Sequence, residues 1–125
     1  MNILVAVDLS DASSKVIEAA RGVADLSGAS VHILYVADPD PDYVDFETGP
    51  EVVRKQVEEM YERERRNVEA MASMLRDGGL EANGFLTQGP AVATTLREAE
   101  RLNAGLIVVG SHGHGAVYDV LIGSF

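Results

Sequence analysis

Ile3-Leu4-Val5-Ala6-Val7-Asp8 is a near-continuous apolar run closed by an acid. A strand with one wet face alternates apolar and polar residues, whereas a strand covered on both faces does not need to. The run therefore predicts a central parallel strand. Asp8 stops it at the carboxyl end. Downstream, Ser10 can cap a helix in which Ala12, Val16, Ala20, Val23 and Ala24 share one face, and Gly28 supplies the stop. Strand is followed by helix, and the pattern then repeats.

Val31 to Val36 reads as a second strand, and Asp38-Pro39-Asp40-Pro41-Asp42 as a proline-broken loop, with the acids from Asp38 to Glu51 solvated. From Pro50 to Arg76, Val53, Val57, Met60, Tyr61, Val68, Met71 and Leu75 recur at three- and four-residue steps opposite Glu and Arg. This is the longest helix, ended by Gly78-Gly79, and Met60, Met71 and Met74 read as core packing in it. A weaker strand covers about 81 to 87. Gly89-Pro90 opens a helix with Val92, Leu96, Ala99 and Leu102 on one side, Gly105 closes it, and Leu106 to Val109 is the last strand. The order βαβαβαβ implies an α/β fold, an open parallel sheet with right-handed crossovers and helices on both faces. Ligands of such sheets bind beyond the carboxyl ends of the strands, where strand order reverses. Asp8 and Gly110 both lie at such ends, so one pocket can hold both.

The last strand runs into Gly110-Ser111-His112-Gly113, and Gly123-Ser124 follows, giving Gly-x2-Gly-x9-Gly-Ser. Residues without a Cβ let backbone N–H groups close on an anion, and the natural guest is a phosphate chain. Between Gly110 and Phe125 there is no Lys or Arg, so the grip would fall to backbone amides, the hydroxyls of Ser111 and Ser124, and a cation. The Walker pattern is absent, and the Rossmann glycines are spaced differently. His112 and His114 lack a third metal ligand at a recognisable spacing. Ser111, His112 and Asp8 do not make a hydrolase, because Gly-x-Ser-x-Gly is missing and adjacent Ser and His seldom meet in nucleophile geometry. A phosphorelay receiver is excluded by Thr87-Gln88 at the end of the third strand, where a phosphoacceptor Asp is required.

The 125 residues make a single domain, 1–125, and leave no room for a second. Twenty acids against ten bases give a net charge of −10, with no basic stripe to displace counterions from DNA or RNA. The acidic excess fits a protein working in concentrated salt, and equally one kept soluble by its charge. There is no cysteine, no basic leader before the first apolar run and no membrane-length apolar stretch, which fits a reducing, cytoplasmic setting.

Ile3 to Asp8 with Ser10, His32 to Val36, Gly89-Pro90, and above all Val108-Val109-Gly110-Ser111-His112-Gly113 with Gly123-Ser124, resemble the universal stress proteins of the UspA type, in their ATP-binding branch. The resemblance spans essentially the whole chain. It implies an adenine nucleotide alpha hydrolase-like sheet of strand order 3-2-1-4, normally extended by a fifth strand. It further implies that Ala6 and Val36 line an adenine pocket with Val7 beside them, Val36 acting through its backbone. Asp8 would accept hydrogen bonds from the ribose. Gly110, Gly113, Gly123 and Ser124 would hold phosphates, with Ser111 and His112 nearby. The implied ligand is ATP, or AMP or ADP, with Mg2+ or Mn2+ bridging phosphate oxygens.

Family members usually continue past the Gly-Ser pair into a helix and a final strand, where they commonly pair as homodimers. On this reading the domain is C-terminally short, its fifth strand is absent, Leu106 to Val109 is an open edge, and a helix N-terminus at Gly123-Ser124 is lost to the phosphates. Three functions follow as expectations. The first is a nucleotide-sensing regulatory module in stress response, the second a slow ATPase or phosphotransfer enzyme using the same pocket, and the third a nucleotide-free module acting through protein contacts. Phosphoryl transfer needs an oriented nucleophile and charge stabilisation, and no base or arginine finger stands in the motif, so binding is favoured.

Overall fold

A computed structural model describes residues 1–9, 13–37, 50–110 and 120–124, with the backbone alone for 50–53 and 120–124. Along the chain run β1 (Asn2–Val7), α1 (Ser13–Ser27), β2 (Ser30–Ala37), α2 (Pro50–Asp77), β3 (Ala82–Gln88), α3 (Ala91–Arg101), β4 (Ala104–Gly110) and β5 (Val120–Ser124). The strands form one sheet in the order β3-β2-β1-β4-β5, and β1 to β4 are parallel as expected. The proposed cap Ser10 and the acidic stretch 38–49 lie outside the described residues.

From β1 the chain steps to β2 and β3 on one side, then returns past β2 and β1 to place β4 on the other flank of β1. Crossovers of one hand that step in opposite directions must pass over opposite faces. Accordingly, Val16, Ile17, Ala20 and Ala24 of α1 and Val68, Ala72 and Leu75 of α2 pack with Ile3, Val5, Val31, Ile33 and Val108 on one face. On the other, Ala99 of α3 packs with Leu4, Leu34, Ala104 and Ile107. Ile3, Leu4 and Val5 are wholly buried, so consecutive residues of β1 serve both cores. That is the physical content of the unbroken apolar run.

Glycines at positive φ end two helices where expected, Gly28 at +70° and Gly79 at +94°. The stop of α3 differs. Asn103, not Gly105, takes the left-handed conformation at φ 53°, and Gly105 already belongs to β4. Asn tolerates that region because its short side chain can hydrogen-bond locally. Two apolar assignments also shift: Met74 is exposed rather than core, and of the apolar residues assigned to the inner side of α3 only Ala99 is buried, Val92 and Leu96 being exposed.

The expectation that a fifth strand is absent is corrected. Val120–Ser124 pairs antiparallel with β4, Gly110 opposite Val120 and Leu106 opposite Ser124. Leu106 to Val109 is therefore no open edge. An uncovered β4 would present unpaired N–H and C=O groups, and an antiparallel partner needs only a reversal of the chain, not a crossover helix. Gly123 and Ser124 are thus strand residues, not the start of a helix.

Candidate functional site

Strand order reverses between β1 and β4, and at their carboxyl ends a cavity of about 680 Å³ opens. That lies within the range of small-molecule pockets. Ala6, Val7, Asp8, Val36 and Gly110, expected from sequence to share a site, all line it. Three strands deliver them in register. Ala6 pairs with Leu34 on one side and Val109 on the other, so Val36 and Gly110 reach the rim together with Asp8.

Of the remaining site residues from the sequence, Gly123 and Ser124 are not brought there. Ser111, His112 and Gly113 lie outside the described residues. Gly123 and Ser124 sit opposite Ile107 and Leu106, so Ser124 is four residues below Gly110, roughly 13 Å at a strand's rise. Antiparallel pairing carries the chain back down the sheet, away from the carboxyl edge.

The cavity walls include residues that sequence reading passed over. Ser13 and Val16 come from α1, and Ala91, Val92, Thr95 and Leu96 from the first turns of α3. The start of α3 is held to the sheet edge by Gly89, whose N–H donates to the Ala37 carbonyl at 3.2 Å. Gly89 stands at φ +145°, and a Cβ there would meet Thr94 Oγ1 at 2.5 Å. The Gly-Pro signal thus marks a close approach as well as a helix start. Gly110 has a similar reason, because a Cβ would fall 2.7 Å from Val16 Cγ2.

Polar groups in the wall are few. Asp8 is exposed, and Ser13, only 2 % exposed, donates its hydroxyl to Asp8 Oδ1 at 3.2 Å. Leu9, immediately after Asp8, is at φ 62°, a conformation costing a non-glycine residue about 1–2 kcal/mol and concentrated at functional sites. Neither was legible, since Ser13 is one of three nearby serines and nothing marks a leucine for positive φ. Tyr35 donates to Glu64 Oε1 at 3.3 Å. Burial first, then the Glu64 carboxylate, pushes its phenol up to about 12. Thr95 spends its hydroxyl proton on the Ala91 carbonyl at 2.7 Å.

No Lys or Arg stands among the described lining residues, and among the described residues no group of three His, Asp or Glu could hold a metal ion. The arrangement offers an apolar slot, a carboxylate clamped at its mouth and a glycine strand end beside it. A flat apolar ring could enter the slot while a hydroxyl-bearing group meets Asp8. Among the described residues no helix is long and apolar enough to cross a membrane.

The family model described as Universal stress protein family matches residues 1–125. A Thermus aquaticus protein named "Universal stress protein in QAH/OAS sulfhydrylase 3'region" is 30% identical over 122 residues, covering 98% of this chain and 85% of the relative. A crystal structure of a universal stress protein family member from Burkholderia pseudomallei is 30% identical, with a TM-score of 0.69 over 89% of this chain and 81% of that one. A universal stress protein from Archaeoglobus fulgidus, solved in complex with dAMP, shares the fold at 21% identity and a TM-score of 0.60 over 87% of this chain and 79% of its own. With a family match from end to end, and with the strand order and switch-point cavity already described, this chain belongs to the universal stress protein family.

Proposed function

We propose that this chain is a nucleotide-sensing module that binds an adenine nucleotide, ATP foremost, in the cavity at the carboxyl ends of β1, β2 and β4. The observation that carries this reading is the convergence of Ala6, Val7, Asp8, Val36 and Gly110 on one cavity at the switch point. The dAMP complex of the Archaeoglobus fulgidus relative supports an adenine nucleotide as the guest. Adenine would occupy the apolar slot between Ala6, Val36 and the first turns of α3, with the backbone of Val36 meeting its edge. The ribose would meet Asp8. Phosphates would leave past Gly110 towards Ser111, His112 and Gly113, and a magnesium or manganese ion would be carried by phosphate oxygens. Gly123 and Ser124, on β5 opposite the lower part of β4, receive no phosphate contact in this arrangement.

A bound nucleotide would act here as a state to be read by other proteins. Phosphoryl transfer requires stabilisation of charge spread over the transferred group, and among the described lining residues no cation supplies it. Titration calorimetry with AMP, ADP and ATP in magnesium tests the proposal. The expected result is saturable binding, with an absorbance of the isolated protein tilted towards 260 nm where adenine is retained, since the chain has four Tyr and no Trp. Absence of heat with all three nucleotides overturns it. Phosphate release that disappears in Asp8→Ala would move the reading to an enzyme.

A further inference from the structure

Asp8 stands on the cavity rim, directly after β1, and is exposed. A carboxylate so placed is solvated by water and needs no protein partner for stability. Two features nevertheless hold it. Leu9 turns the chain at φ 62° immediately beyond it. From the first residue of α1, five positions on, the Ser13 hydroxyl donates to Oδ1 at 3.2 Å. Ser13 is 2 % exposed, so its side chain has little freedom and acts as a fixed post. Val16, one turn further along α1, packs against Gly110 and ties that post to the end of β4.

We infer that Ser13 is a positioning residue: by clamping Oδ1 it fixes the plane of the Asp8 carboxylate so that it can accept hydrogen bonds from vicinal hydroxyls of a bound ribose. This rests on the nucleotide reading above. A carboxylate that is free to rotate must be ordered when the sugar arrives, whereas one already held avoids that entropic cost, which is how a supporting shell raises affinity without touching the ligand.

The test is a pair of titrations, AMP against 2′,3′-dideoxy-AMP, on the wild-type chain, Ser13→Ala, Asp8→Ala and the double variant, with thermal melts confirming that each is folded. The wild type is expected to prefer AMP by roughly tenfold, and Ser13→Ala to lose about three- to tenfold in AMP affinity while its affinity for the dideoxy compound stays unchanged. In the Asp8→Ala background, Ser13→Ala should then have no further effect on the preference. A Ser13→Ala variant that keeps the wild-type preference, or that weakens both ligands equally, overturns the inference while leaving nucleotide binding intact. A wild-type chain that binds neither compound overturns the nucleotide reading itself.

Discussion

Gly110→Ala places a methyl group where the end of β4 meets α1. The new Cβ would lie 2.7 Å from Val16 Cγ2, about 0.8 Å inside the shortest ordinary carbon–carbon contact. Val16 cannot swing aside, because it is 3% exposed and a β-branched residue in a helix has one strongly preferred rotamer. Either α1 shifts outward or β4 bends, and overpacking of this kind costs about 1–3 kcal/mol. With a urea m-value of about 2 kcal/mol/M, the unfolding midpoint should fall by roughly 1 M. The decisive measurement is a cycle with Val16→Ala. If the clash is the cause, the double variant is less destabilised than the two singles together, by at least about 1 kcal/mol. Strict additivity, or a neutral Gly110→Ala, would refute the argument.

Gly84→Ala is the contrasting case: its Cβ would meet Val68 Cγ1 at 2.7 Å but also the Val68 backbone oxygen at 2.8 Å, so a loss of about 3 kcal/mol is expected, and Val68→Ala should not relieve it in a urea-unfolding cycle. Asn103→Ala should lower the melting temperature, by about 1 kcal/mol in stability, whereas Asn103→Gly should not, since residue 103 sits at φ 53°. Tyr35, whose phenol is raised to about 12 from an ordinary 10.0, should contribute a phenolate absorbance step near that pH, and that contribution should vanish in Tyr35→Phe. Because the folded state holds the Tyr35 proton more tightly than the unfolded chain, its contribution to stability is complete below pH 10.0 and is lost as pH rises to about 12.

Much of the frame was readable in residue order, because it depends on local regularities. The run from Ile3 to Val7 marks a strand buried on both faces, Gly28 and Gly79 mark helix ends that need positive φ, and alternating strand and crossover helix leaves little choice but a parallel sheet. From that alone, Asp8 and Gly110 could be expected at the same edge. Tertiary structure decided what depends on contacts between distant segments. The 120–124 segment pairs beside β4 instead of opening a helix, which takes Gly123 and Ser124 away from the rim. Asn103 takes the helix stop from Gly105. Ser13, one serine among several in sequence, becomes the partner of Asp8 only when α1 folds back over β1. Periodicity records which face a residue presents, whereas the orientation of a carboxylate and the pairing of an edge are set by whatever arrives from elsewhere in the chain.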